Sequence, residues 1–351
     1  MARRPGLKTV PVERARSILL QERGQTQDVY LPLRPPEVRL NVGDSLAPAP
    51  DRYFMTARVE GADVDLKFTP TSFRQLCSIA SIPAQIPAKA PAALGLNLLR
   101  SMLEMSEAGE GALFLLRLRL AKRPVLRAIL PRSFVRIDDV QVADALECVS
   151  EGRNVRIASM SVDEDTWFAR ILLGDSVNFG SAAMPDSIMA GMDLITSETG
   201  LRPMEIRHVL FRVICANGIT QPVEKEPGWR NRYTGVERTV LEGRLTDALD
   251  RALMSGGVMA GRLSESRAGH VEDAGEEIAR IFRDYRLGNP RGRIGAWIAQ
   301  EVMKETTLFG VSRWTICQAF TAVARGLDHA RRMQFEDAMG SYLVRGEPGN
   351  S

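Results

Sequence analysis

The stretch Leu115–Asp138, "LLRLRLAKRPVLRAILPRSFVRID", sets seven basic residues among leucines and valines before its first acid. They are Arg117, Arg119, Lys122, Arg123, Arg127, Arg132 and Arg136. Phe114, Leu116, Leu118 and Leu120 alternate with Leu115, Arg117 and Arg119, and a period of two predicts a half-buried strand. "VLRAIL" predicts a second strand and "AKRP" the connection, so residues 113–130 read as a hairpin. On it Arg117 and Arg119 share a face, Arg127 joins them from the facing strand, and Lys122 and Arg123 occupy the tip. Such a set can neutralise a run of phosphates. It can equally be the solvated face of a sheet that discourages edge pairing. The residues alone leave both readings open.

Outward from the hairpin, Asp138 or Asp139 is placed to start a helix over "VQVADALECVSEG". Before it, "RYFMTARVEGADVDLKFTP" predicts two strands around Glu60-Gly61. "TPTSFRQLCSIASIP" predicts a helix capped by Thr71 or Ser72, with Phe73, Leu76, Cys77 and Ala80 on one face. "ALGLNLLRSMLEMSE" predicts another, with Leu94, Leu98, Met102 and Met105 in line. After it, "RNVRIASMSVDEDTWFARILLG" predicts strands on either side of Asp163-Glu164-Asp165. "MDLITSETG" predicts a strand and a turn at Thr199-Gly200, followed by a strand or helix entering the Asn217-Gly218 turn. Residues 31–50 are rich in proline and read as an extended connector behind a basic N-terminal arm carrying Arg14, Arg16 and Arg23. Beyond about residue 225 the apolar spacing is helical throughout. The expected fold is α+β, with a small antiparallel sheet and packed helices in the N-terminal two-thirds and a helical C-terminal region. The boundaries are 1–50 for the arm and connector, 51–225 for the core and 226–345 for the helices.

The composition sets limits on function. The 351 residues are 44% hydrophobic and 25% charged, which suits a folded chain, but net charge is only +3. Nucleic-acid binding must therefore rest on local clustering. No stretch approaches the roughly eighteen apolar residues of a membrane span, and the basic N-terminus lacks a signal-peptide core. Cys77, Cys148, Cys215 and Cys317 stand far apart, as do His208, His270 and His329, against a zinc site and in favour of buried, reduced thiols in a cytoplasmic protein. No phosphate-binding glycine motif occurs. Asp163, Glu164 and Asp165 could hold magnesium, but a solvated turn is the simpler reading. Glu198 is placed to pair with Arg207 or Arg212. No catalytic residue, metal site or cofactor is expected.

Several stretches in order resemble the phage/plasmid-like protein family, a domain of unknown function. They are "TPTSFRQLCSIASIPAQI", "LRAILPRSFVRIDDVQVADAL", "ITSETG", "FRVICANGIT" and "WTICQAFTAVARGLDHARR", together spanning about residues 68 to 335. The chain departs from the family pattern at Phe134, where tyrosine is usual, and at Thr196, where asparagine is usual. The family has no agreed catalytic residues, so none is carried over. The resemblance implies a mobile-element gene of the kind that serves replication or recombination. With the charge pattern it leads to an expected nucleic-acid-binding protein of the single-strand-annealing kind. It would favour single-stranded DNA, assemble as a homo-oligomer and contact phosphates through Arg117, Arg119, Lys122, Arg123, Arg127, Arg132 and Arg136. Two alternatives stand beside it: a metal-dependent enzyme using residues 163–165 with Glu198, and a protein-interaction module docking a partner through the helical C-terminus.

Overall fold

Leu113–Arg119 (β5) and Val125–Pro131 (β6) form the hairpin that the alternation predicts. It lies inside a six-stranded sheet ordered β1-β5-β6-β4-β3-β2. The other strands are Thr26–Pro32 (β1), Val38–Val42 (β2), Tyr53–Val59 (β3) and Ala62–Phe68 (β4). Pairing is antiparallel except for a short parallel contact of β4 with β6. The computed structural model describes residues 10–23, 26–106, 108–120, 122–178, 187–212, 217–220, 230–231, 238–254 and 270–344.

A second sheet, ordered β11-β10-β9-β8-β7, is built from Val155–Val162 (β7), Trp167–Asn178 (β8), Ser187–Thr196 (β9), Met204–Arg212 (β10) and Asn217–Thr220 (β11). Arg230–Asn231 (β12) pairs with β10. Helices follow: Arg238–Met254, Ala274–Asp284, Arg293–Phe309, Arg313–Ala324 and His329–Val344. The fold is therefore α+β with a helical C-terminal region, its strands shared between two sheets. No described helix is long and apolar enough to cross a membrane.

The stretch 31–50, expected to be a connector, instead carries the end of β1 and the whole of β2, the two edge strands of the first sheet. Pro32 ends β1 and Pro35-Pro36 follows it, so the prolines sit where no ladder donor is lost in mid-sheet. Within the region read as a basic arm, Val12–Arg23 forms helix α1, which buries Val12, Ala15 and Leu19. Arg16 on its outer side pairs with Asp144.

Helix α2 (Pro70–Ile79) starts at a Thr69–Ser72 capping box, with the cap at Thr69 and so before the expected Thr71 or Ser72. Its expected face, Phe73, Leu76, Cys77 and Ala80, is buried against the first sheet. Gln85–Lys89 (α3) is a short turn of helix. In Ala92–Glu104 (α4) the buried line is Ala92, Gly95, Leu96, Leu99 and Leu103, while Leu94 and Met105 are exposed. The helix is rotated from the expected face because it is pinned at Gly95, where a Cβ would lie 2.3 Å from the Tyr53 hydroxyl.

One apolar core lies between α2, α4 and the first sheet, and takes Leu116, Leu118, Leu126 and Ile129 of the hairpin. A second takes Leu115, Ala128 and Leu130 from its opposite face. That second core also holds α1, Asp139–Ser150 (α5), Arg238–Met254 (α6) and one face of the second sheet through Trp167, Ala169, Ile171, Met192, Leu194 and Ile206. The hairpin is thus covered on both sides, not half-buried.

The far face of the second sheet carries a small apolar patch of Leu172, Met189 and Val209 and, beside it, a set of buried charges. Arg170 on β8 donates to Asp193 on β9 at 2.7 and 2.8 Å and to Glu336 at 3.1 Å. Glu336 lies on His329–Val344 (α10) and is also held by Arg332 one turn earlier, at 2.9 Å. Arg207 on β10 reaches Asp337 of the same helix. These pairs fasten the helical bundle of Ala274–Asp284 (α7), Arg293–Phe309 (α8), Arg313–Ala324 (α9) and α10 to the sheet. The bundle has its own core around Phe282, Phe320 and Phe335.

Burial pushes the Glu336 pKa up, but hydrogen bonds and charge from Arg170 and Arg332 outweigh it and hold the carboxyl below its usual value. A carboxyl depressed in the folded chain adds stability that is full above its unfolded pKa, about 4.3. That stability is lost as pH falls through the folded value. Glu336→Gln removes the charge and leaves Arg170 and Arg332 short of a partner. We expect a loss of about 3–5 kcal/mol at neutral pH, measured by urea unfolding, and a shallower loss of stability on acidification than in the parent.

Candidate functional site

The arginines of the hairpin converge as the alternation requires, but they converge inward. Along the inner face of β5 the side chains run from apolar Leu115 through Arg117 to Arg119, which is near the rim. Between Arg117 and Leu118 the register with β6 shifts, so that Arg117 faces Ala128 and Leu118 faces Leu126. Arg127 is the extra residue of this bulge, and the bulge aims it beside Arg117. Arg117 and Arg127 are 2% and 1% exposed.

Each buried guanidinium is surrounded by acceptors. Arg117 donates to Asp28 Oδ1 at 3.1 Å, to Asp138 Oδ1 at 2.6 Å and to the Glu198 carbonyl at 3.0 Å. Arg127 donates to Glu164 Oε1 at 3.0 Å, to the Glu164 carbonyl at 2.9 Å and to Glu198 Oε2 at 2.9 Å. Arg119 closes on the other oxygen of Glu164 at 2.6 Å. Arg136 closes on the other oxygen of Asp28 at 2.6 Å. Burial would lower the Arg117 pKa, yet Glu198, Asp28 and Asp138 together raise it above the usual guanidinium value. A buried charge is tolerated only when it is matched in this way.

Of the matching carboxylates, Asp28 comes from β1 of the first sheet, while Asp138, Glu164 and Glu198 come from the start of α5 and from the turns of the second sheet. Glu198 is 4% exposed and sits in the bend between β9 and β10, where Thr196, Ser197 and Thr199 are also buried. Its second oxygen accepts from the Asp139 backbone N–H at 2.9 Å, at the start of α5. Asp139 in turn accepts from the Thr196 hydroxyl. Gly200 has φ 68°, and a Cβ there would meet Leu130 at 2.9 Å, so the bend needs glycine on both grounds. Gln75 of α2 ties the bend to the hairpin, donating to the Thr199 carbonyl at 2.7 Å and accepting from Ile129 N–H at 2.8 Å.

These facts correct several sequence expectations. Arg117 and Arg127 are buried ion-pair partners and cannot present themselves to a phosphate. Arg119 and Arg136 are partly exposed, but both are engaged by carboxylates. Lys122, Arg123 and Arg132 are exposed and make no ion pair among the described residues. Glu198 pairs with Arg127, not Arg207. The acidic triplet is a turn whose members each have local work. Asp163 accepts from the Asp165 and Thr166 amides, Glu164 binds two arginines, and Asp165 accepts from Thr71 at 2.7 Å and Thr199 at 3.0 Å. Among the described residues no cluster of carboxylates, histidines and cysteines could hold a metal ion.

Cys77 and Cys317 are buried and free, and burial pushes the Cys77 thiol up to about 11. Cys148 is exposed, against the expectation of buried thiols. Cys215 and the side chain of His208 lie outside the described residues. The role of Glu198 had one usable signal in the sequence, an acid beside an apolar strand. Its partner is 71 residues distant, and no local pattern points there.

Arg127→Met strands Glu198, leaves Glu164 to Arg119 alone, and is expected to cost about 3–5 kcal/mol. The double replacement Arg127→Met with Glu198→Leu is expected to recover a substantial part, because the orphaned charge is removed with its partner. Chemical unfolding of the two single variants and the double variant, read as a double-mutant cycle, measures this coupling.

No protein-family profile, curated protein or solved structure matches this chain.

Proposed function

We propose that this chain is a nucleic-acid-binding protein of a mobile element, of the single-strand-annealing kind, which holds the phosphate backbone without chemistry and works as a homo-oligomer. The observation that carries the reading is the tip of the β5–β6 hairpin. Lys122 and Arg123 are exposed there and pair with no acid among the described residues, and Lys67 of β4 is exposed alongside, its backbone N–H bonded to the Pro124 carbonyl. Arg132 stands exposed beyond the other end of β6. The four buried or half-buried arginines then have a supporting part. They fix the hairpin so that its tip is presented on a rigid ribbon. Lysine and arginine without a carboxylate partner bind phosphate by releasing counterions, a sequence-independent interaction. The resemblance of the ordered motifs to the phage/plasmid-like family leads the reading toward replication or recombination.

Fluorescence anisotropy with labelled single- and double-stranded oligonucleotides tests the reading. Single-strand binding is expected to be the tighter and to weaken steeply with salt. Lys122→Glu with Arg123→Glu is expected to lower affinity at least ten-fold and flatten the salt slope, with thermal stability unchanged. An absence of binding at low salt, or an affinity indifferent to the double replacement, overturns the proposal. Light scattering with and without DNA reads the assembly state.

A further inference from the structure

On the opposite side of the first sheet, β2, α4 and the turn before β5 line an open cavity of about 320 Å³. Its apolar wall is Leu33, Val38, Leu40 and Leu103, all at least nine-tenths buried. Its polar rim includes Arg34 and Arg100. Neither guanidinium has a carboxylate partner among the described residues. Arg34 donates to the Gly109 carbonyl at 3.1 Å and Arg100 to the Leu40 carbonyl at 2.5 Å. Each therefore keeps most of its N–H donors unengaged while the backbone holds it at the cavity mouth. Arg39, also at the rim, is spent on Asp63.

The position of Arg34 is built into the turn. Gly111 has φ 90°, and a Cβ there would lie 2.8 Å from the Arg34 guanidinium. A side chain at 111 would displace the arginine. The volume equals that of roughly ten liquid waters and falls at the small end of ligand pockets. It suits a small molecule, not a peptide segment. An apolar wall with two forked cations at the rim matches an oxyanion carried on an apolar body. Glu104 on the same rim can accept from a donor on that body, such as an amine or amide N–H.

We propose that this cavity binds a small organic oxyanion, a phosphate or carboxylate on a flat apolar body, with Arg34 and Arg100 holding the anion and Leu40 and Leu103 the body. The site is independent of the hairpin tip, so it stands or falls apart from nucleic-acid binding.

Isothermal titration calorimetry of the full chain decides it, with deoxythymidine 5′-monophosphate, thymidine and phenylacetate as probes. At least one anion is expected to bind ten-fold or more tightly than thymidine. Arg34→Gln and Arg100→Gln are each expected to remove most of that advantage. Both residues are exposed, so the melting temperature should not move, and Lys122→Glu with Arg123→Glu should leave the titration unchanged. Preference for the monophosphate assigns the site to a phosphate source, and preference for phenylacetate to a carboxylic acid. No binding of either anion at millimolar concentration, or equal binding by the arginine variants, overturns the proposal.

Discussion

The Arg127–Glu198 pair is the fastening on which the arrangement of the two sheets depends. Arg127 belongs to the first sheet and Glu198 to the bend of the second, and both are nearly inaccessible to water. Around that contact the remaining charges are ordered. Glu164 is shared by Arg127 and Arg119, Asp28 by Arg117 and Arg136, and Glu198 also anchors the first turn of α5. Removing one member leaves an opposite charge in a dry place, a far larger penalty than the net worth of the pair. The network therefore contributes to specificity of docking more than to stability. An apolar contact could slide, whereas forked guanidiniums on carboxylates fix a register.

Much of the fold is written in local patterns. The alternation in residues 113–120 gives the hairpin strand, Glu60-Gly61 gives a tight turn with both residues at positive φ, and Phe73, Leu76, Cys77 and Ala80 give the buried face of α2. Asp138 caps α5 as its position suggests. What local patterns miss is what covers each face. A period of two says that Arg117 and Leu116 point in opposite directions, but not that a second sheet lies beyond the arginine. The same limit hides the partner of Glu198 and turns the connector prolines into edge strands, because strand partners such as β1 and β5 lie far apart in sequence. The helix at 92–104 was rotated by a tertiary contact at Gly95 that no helical periodicity encodes.

The basic residues of the opening stretch thus divide into two kinds by one criterion, whether an acid lies within reach. The interior kind organises the fold. The exposed kind, Lys122, Arg123 and Arg132, is left with charge to spend. A cluster counted from sequence adds the two together and overstates the surface potential. With net charge at only +3, the distinction decides where any anionic partner can land.

The latch beneath the helical bundle has a consequence for the order in which the chain is made. Arg170 is already matched by Asp193 on the adjacent strand, and Glu336 by Arg332 on its own helix. Each half of the latch is electroneutral before the two meet. As the chain emerges from the ribosome, the second sheet can close without waiting 143 residues, from Asp193 to Glu336, for its last partner. The bundle then docks as a neutral surface onto a neutral surface, and only the exchange of partners across the joint is left to the end of synthesis.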